Sequence, residues 1–545
     1  MSFSFIRGDD PDQAFLLPPD AREWLPPGHL AWQLLSVVGE VDLDPFLAGY
    51  RADGRSRPAY HPGSMLALVM YCYCKGTRSS RAIEAASFDD LGARVIIGNT
   101  HPDHATIARF VTRHERAIKG LLVQTLVIAA RDGLLRVDVV AGDGTVVKAN
   151  ASAAGNVTAE QLDIDIAQLQ EVIDAEVQAW FAQAAAEDAA EDALFGHPGD
   201  VDDDDGPAPD QGPGGPGSLT HTVGKLLRRR AAKARLEQRE AQRDAEITAD
   251  RQARVDNWAG RVAAREQAVD AARDAYQAKT EDWQSRADAA AATGKKLGGP
   301  RPVPVDDYVW VRRAREALAK VKGRLADAEQ AAAAPIPDPA KPLVVNSTDP
   351  ASRTVPGKNG GGFLQGYNLQ AVATKKQLIL SIGTHDSPND TAALHPNLRA
   401  ARANLDAAGI TDPIGVALFD AGYASDTNFT TPCPDPDTTL LVAVNKETRQ
   451  TGRDPDHPAR AKGMSIESWQ QMTARLDTDD GKTVYRQRAA IIEPVFAQLI
   501  NRLSRHLNYR GDHVDTELHL WGTTHNIGKI IKNRVNRVTA IPSTA

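Results

Sequence analysis

Strand-forming sequence in this chain stops near residue 149 and does not resume until after Pro342, with a strongly helical composition between. A single sheet would therefore have to be closed from two distant pieces of chain. Before the break, Arg136–Thr145 (Arg-Val-Asp-Val-Val-Ala-Gly-Asp-Gly-Thr) and the residues to 149 place β-branched runs on either side of Asp143-Gly144, which reads as two strands and a turn. After it, Leu343-Val-Val-Asn346 is short, and Gly366–Thr374 with Gln377–Gly383 reads as a hairpin across Lys375-Lys376. A helix is expected over 391–407, then a strand ending at Asp420, a short helix, a strand over Thr439–Asn445, and a helix carrying Glu493. Between the two pieces, the composition predicts a helical arm over 158–195, a long charged helix over 219–292, a turn over Gly294–Pro304 and a helix over 306–334. Their apolar seam is thin and Ala-heavy, as in a shallow antiparallel hairpin or coiled coil.

Strand with Asp, hairpin strands, helix, strand with Asp, helix, strand, helix with Glu is the element order of an RNase H-like α/β fold with a mixed sheet. The expected organisation is an N-terminal helical domain over 1–135, with possible DNA contact, and a core built from 136–155 and 335–545. The helical insertion takes 156–334 and holds an acidic, Gly/Pro-rich linker, 196–218, that is expected to be disordered. In the N-terminal domain, His61-Pro62 enters an apolar helix, Ser80-Arg-Ala-Ile-Glu84 reads as a capping box, and Asp103 reads as an N-cap.

The formal net charge of −8 looks wrong for a partner of nucleic acid, but the sum is misleading. Residues 199–210 hold six Asp and no base, whereas from Tyr485 onward nine Lys and Arg face four Asp and Glu, a net of 9 − 4 = +5. A basic C-terminal part suits an anionic partner, although a solvated basic surface would read the same way. Three cysteines, Cys72, Cys74 and Cys433, lack zinc-ligand spacing and suit a reduced compartment. With no signal-like or membrane-spanning run, a soluble, cytoplasmic protein is expected.

Asp143 and Asp420 each follow an apolar run, and Glu493 sits near a helix start. Two carboxylates at strand ends and one on a helix can converge on a pair of divalent cations, about 3.5–4 Å apart, that perform in-line displacement at phosphorus. Hard oxygen ligands suit magnesium, and sheet backbone fixes their positions. Each segment alone has a plainer reading: Asp-Gly after a strand is most often a turn, and Glu beside Pro complements a helix dipole. Their joint order is what points to chemistry. His385, Asp386 and Asp390 read as a capped polar loop, or as supports for the acids, and Lys148 as a surface lysine within reach of a phosphate.

The chain resembles the DDE transposases of bacterial insertion sequences from about residue 55 to 530. The resemblance is carried by His61-Pro62, Gly76-Thr-Arg-Ser-Ser-Arg81, Asp103–Phe110, Gly361–Asn368, His385–Thr391, Asp420-Ala-Gly-Tyr423, and Tyr485-x-x-Arg488 followed by Glu493-Pro-Val-Phe496. It implies that Asp143, Asp420 and Glu493 hold two Mg2+ ions, with Mn2+ able to substitute, and that Tyr485 and Arg488 contact the DNA strand near the cut. It implies DNA partners, the inverted-repeat ends of a mobile element and its target. It also implies a homo-oligomer in the DNA complex and a nucleoid-associated enzyme. A nuclease that cuts without joining, or a domesticated DNA-binding or scaffolding relative, are the alternatives. One departure concerns the basic residue often found beyond the glutamate. Seven positions on stands Ile500, and Arg502 lies about 180° around the helix from Glu493. Arg486 would share that face if the helix began so early.

Overall fold

The computed structural model describes residues 23–48, 50, 59–195, 217–294, 296–356, 362–387, 389–444 and 464–540. The expected acidic linker falls almost wholly outside them. Two compact units emerge: residues up to Asn156 together with those from Asn346, and Val157–Val345.

Among the described residues of the first unit, seven α-helices precede the sheet: α1 (Leu30–Val38), α2 (Asp44–Leu47), α3 (Pro62–Cys74), α4 (Ser80–Asp89), α5 (Leu91–Ile96), α6 (His104–Arg113) and α7 (Glu115–Arg131). Their starts follow local chemistry. Pro62 occupies the first turn of α3 behind His61, and Asp103 accepts from Thr106 N at 2.7 Å to cap α6. The capping box expected at Ser80 does not form. Glu84 is four residues past Ser80, one too many, and pairs with His104 instead; the cap is Ser79, accepting from Ala82 N at 3.2 Å.

The strands are β1 (Val139–Lys148), β2 (Asn156–Val157), β3 (Val345–Asn346), β4 (Arg353–Pro356), β5 (Phe363–Thr374), β6 (Ile379–His385), β7 (Val416–Phe419) and β8 (Thr439–Val442). The main sheet runs β4-β5-β1-β7-β8, with β6 also on β5. β1 pairs antiparallel with β5 and parallel with β7, and β7 parallel with β8. The order β6-β5-β1-β7-β8, with only β5 reversed against the three strands that follow β1's direction and its partner β6, is the RNase H-like arrangement.

The two strands and turn expected around Asp143-Gly144 are one continuous strand. Its register with β5 is unbroken from Val140 opposite Thr374 to Lys148 opposite Gly366, so nonlocal pairing overrides the Asp-Gly turn signal. The glycines serve close approach instead. A Cβ on Gly142 would lie 2.2 Å from the Phe419 ring, and one on Gly144 2.3 Å from Gln370 Nε2.

Alternation along the strands divides the core. Ala141, Leu369, Ala371 and Leu418 face a cluster shared with the N-terminal helices, α15 (Gln487–Leu503) and α16 (His513–Ala540). Val140, Val372, Ala417 and Phe419 face the other way, onto α11 (Leu394–Ala407), after which come α12 (Asp426–Thr430), α13 (Ile466–Asp477) and α14 (Asp479–Tyr485). The motif at Gly76–Arg81 is tied into this unit: Arg78 donates to the fully buried Glu517 at 2.7 Å and lies over Trp521. The second unit consists chiefly of α8 (Ala159–Phe195), α9 (Gly217–Ala292) and α10 (Val309–Ala333), with α9 packed against both others.

Candidate active site

Three elements bring the sequence-nominated acids to one place. Asp143 lies midway along β1, and Asp420 directly follows β7. The parallel pairing of Ala141 with Leu418 sets the two at the same level of the sheet. Asp420 Oδ1 accepts from Gly422 N at 2.9 Å, which fixes the carboxylate over the short helical turn Ala421–Tyr423. Glu493 stands on α15, which packs on β1 and β5.

One cation joins them. Arg488, in the first turn of α15, sets Nη1 3.3 Å from Asp143 Oδ2 and Nη2 3.6 Å from Glu493 Oε1. Asp143 and Arg488 are largely buried, whereas the Glu493 side chain is 61% exposed. Burial, and then the charge of Asp420, push the Asp143 carboxyl up to about 6, against the opposing pull of Gly144 N–H and Arg488. Burial lowers the Arg488 pKa, but the charges of Asp143, Tyr485 and Asp420 outweigh it and raise the value overall. Tyr485 donates its hydroxyl to Phe419 O at 3.1 Å, the carbonyl just before Asp420. All five nominated residues thus lie in one neighbourhood, the two expected to meet DNA being held against the acids.

The residues fit a hard divalent cation by donor chemistry, since Asp143 and Asp420 set carboxylate oxygens at one level of the sheet, with the carboxylate of Glu493 joined to Asp143 through Arg488. The arrangement is open, however. Among the described residues, no three His, Cys, Asp or Glu side chains are grouped closely enough to enclose a metal ion.

Asp390, for which support of the acids was one of two readings, lies beneath them, and the amides that hold it are what sequence reasoning missed. Asp390 accepts from Asn368 Nδ2 at 2.9 Å and Gln370 Nε2 at 2.7 Å. Gln370 Oε1 in turn accepts from Asn397 at 2.8 Å and from the buried Tyr423 hydroxyl at 2.5 Å. The Tyr423 phenol is raised by burial and by Asp390, Asp143 and Asp420. Asp390 therefore adjoins the site through the amides opposite Gly144, while Asp386 lies with His385 by a small crevice near Arg353. The available signal was Asn368 and Gln370, two amides at period two in a largely buried strand.

A second miss is Gln377. Pro494 lies one residue past Glu493 inside α15 and cannot donate to Ala490 O. Gln377, at the β5–β6 turn with φ +62°, supplies that bond from its Nε2 at 3.2 Å. Its Oε1 accepts from Lys529 at 2.6 Å and Gln498 at 3.2 Å. Its carbonyl accepts from His525 Nε2 at 2.7 Å. Neither alternative base joins the Glu493 face: Arg486 is the residue before α15, and Arg502 lies toward α16, its Nη1 3.6 Å from where a Gly528 Cβ would be.

Residues 19–113 match the family model described as Transposase domain (DUF772), and residues 456–531 match one described as Transposase DDE domain. The second match contains Tyr485, Arg488 and Glu493; Asp143 and Asp420 lie outside both. No curated protein and no solved structure matches the chain. In these two segments the chain is similar to DDE-type insertion-sequence transposases.

Proposed function

We propose that this chain is a DNA transposase that cuts phosphodiesters at the ends of a mobile element and joins them to a target. The observation that supports it most is the single guanidinium of Arg488 set between Asp143 of β1 and Glu493 of α15, with Asp420 acting on Asp143 from β7. Asp143, Asp420 and Glu493 would hold Mg2+, for which Mn2+ can substitute. When bound, such ions stabilise the charge that develops on the phosphate oxygens and acidify the attacking hydroxyl.

The remaining steps belong to the chain. In the first, a water oxygen loses a proton and bonds to phosphorus, the bond from phosphorus to the 3′ oxygen breaks, and the leaving oxygen takes up a proton to become a free 3′-hydroxyl. In the second, that 3′-hydroxyl attacks a target phosphodiester, displacing a 3′ oxygen there, so no covalent protein intermediate is required. Arg488 offers a planar donor fork to the cleaved phosphate. Tyr485 fixes the backbone that aims Asp420. The amides of Asn368 and Gln370 hold Asp390 beside Gly144, keeping the floor of the site polar but fully bonded.

The test is an end-cleavage and joining assay in magnesium on DNA that carries the sequences flanking the gene. Asp143→Asn, Asp420→Asn and Glu493→Gln should each abolish both products while DNA binding persists. Retention of near-parental cleavage by any one variant removes that residue from the site. Cleavage without joining in the parent makes the protein a nuclease.

A further inference from the structure

Beyond the carboxylates, β1 and β5 continue past the level at which β7 ends, and a groove lies at their far end. It has a volume of about 570 Å³ and is lined by residues 148–153, Thr348, Phe363–Gln365, His506, Leu507 and Arg510. All belong to the sheet-bearing unit. The lining contains Lys148, His506 and Arg510 and not one carboxylate. In a chain with a net charge of −8, that is a local reversal of sign.

The groove is built rather than incidental. After α15 the chain returns to β1: Lys148 N donates to Arg505 O at 2.7 Å and Leu507 N to Lys148 O at 2.9 Å. This places the 505–510 segment along the end of the strand. Arg510 is set by Asn150, with Nε 2.6 Å from its carbonyl and Nη2 3.3 Å from its side-chain oxygen. Arg505 is steadied on Val146 O at 3.4 Å. Behind Arg510, Asp349 is fully buried and bonded to Tyr367 and Gly511 N, and burial pushes its carboxyl upward. The lining also includes Phe363, an aromatic ring that is 74% exposed on a strand whose other side chains are mostly buried.

An exposed aromatic ring beside preset cations is the combination that grips a single nucleic-acid strand, phosphates on the cations and a base stacked on the ring. Lys148 is five residues along β1 from Asp143, a span of about 17 Å. A single strand with unstacked bases covers that span in only a few nucleotides.

We propose that this groove binds a DNA single strand, with Lys148 and Arg510 on its phosphates and Phe363 under an unstacked base, a few nucleotides from the phosphate at Asp143 and Asp420. The assignment rests on the reading of the chain as a DNA transposase and adds to it the place where the strand beside the cut is held.

The test uses the full chain with fluorescein-labelled oligo(dT) of thirty nucleotides, its duplex with oligo(dA), and oligo(U) of equal length, by anisotropy in EDTA across a salt series. Phe363→Ala should weaken oligo(dT) binding about tenfold with the salt slope unchanged and the duplex affinity nearly so. Lys148→Ala should lower the salt slope by about 1. Both side chains are exposed, and a thermal melt equal to the parent's shows that the variants fold. If the parent binds oligo(dT) and both variants bind it within twofold of the parent, the groove assignment is overturned while the transposase reading stands. Tighter binding of oligo(U) than of oligo(dT) overturns the DNA assignment. If the parent binds none of the three at low salt, the transposase reading fails as well.

Discussion

The sheet-bearing unit and the helical unit of this protein are stabilised in opposite ways. The first buries Tyr71, Trp521 and Phe419 completely and fills both faces of its sheet. Among the described residues of the second, the buried apolar cluster is Leu162, Ala232, Leu236 and Val345, while Phe181 and Trp310 stand exposed. Its helix α9 has 76 residues, about 114 Å of helix, laced by exposed pairs such as Arg254–Asp250 and Arg286–Asp282. Such pairs contribute only about 0.3–0.5 kcal/mol each. Helices of this kind rest on local propensity, whereas the sheet rests on burial between distant segments. The carboxylates proposed to hold metal, Asp143, Asp420 and Glu493, lie in the unit where position is overdetermined.

The largest expected effect is at the acids. Asp143→Asn should reduce cleavage by more than about 10³-fold, because charge stabilisation at a reacting phosphate of this kind accounts for several kcal/mol. The same substitution should raise stability in EDTA at pH 7. The folded Asp143 titrates near 6 and the unfolded one near 3.8, so the ionised group opposes folding at pH 7. Asp143 should therefore add stability to the parent as pH falls through 6 toward 3.8, an increment the asparagine variant lacks, so the difference between the two should narrow from pH 7 to pH 5. The expected gain is roughly 1–3 kcal/mol at pH 7, reduced by the partner that Arg488 loses. Urea titrations at pH 7 and pH 5 decide it, and a variant less stable than the parent at pH 7 would show that Asp143 is structural.

Next comes the packing contrast itself. Trp521→Ala should cost about 3–5 kcal/mol, the usual range for emptying a buried aromatic site. Trp310→Ala should change stability by no more than about 0.5 kcal/mol. Equal losses in thermal or denaturant melts would erase the distinction between the two units.

The same contrast explains what the sequence disclosed. The helices of the insertion were legible almost to the residue, 219–292 expected against Gly217–Ala292 found, because their signal is local. The strand through Asp143 was misread because Asp-Gly is a local turn signal, and only its pairing with β5 reveals a straight strand. Glu493 and the two aspartates could be nominated from flanking patterns. Asp390 and Gln377 could not be ranked, because their importance comes from residues far along the chain, the amides of β5 and the carbonyl that Pro494 leaves unserved.

His525 sharpens the comparison on the sheet-bearing side. Burial, with help from Lys529 and Arg502, lowers its pKa to about 4 despite its bond to Gln377 O. The unfolded chain binds a proton near 6.5, so between pH 6.5 and 4 this residue holds more protons unfolded than folded, and its contribution to stability should fall as pH falls across that window, opposing that of Asp143. The loss amounts to about 3 kcal/mol if the shift is fully expressed. His525→Gln, which keeps a donor for the carbonyl, should flatten the decline. Parallel pH–stability curves for variant and parent would mean that another group carries it.

The smallest effect on stability should come from the largest excision. Within the sheet-bearing unit the chain's exit and return already meet: Asn346 Nδ2 donates to Ser152 O at 2.8 Å and to Asn156 Oδ1 at 2.9 Å, and Ser347 N to Gly155 O at 2.8 Å. A short Gly/Ser linker replacing 157–345 would close a gap that is already closed, so loop entropy adds little. The melting temperature of the remaining unit should stay within a few degrees of the parent's, with helical ellipticity greatly reduced. A cut at 334, where the helical pattern ends, should behave worse. It would leave Leu343 and Val345 attached but deprived of Leu162 and Leu236, exposing apolar surface that the longer excision removes. Light scattering and thermal melts on the two deletions give the answer. If the 157–345 deletion unfolds, the sheet depends on the helical unit after all; if the two deletions behave alike, the boundary at Val345 has no energetic meaning.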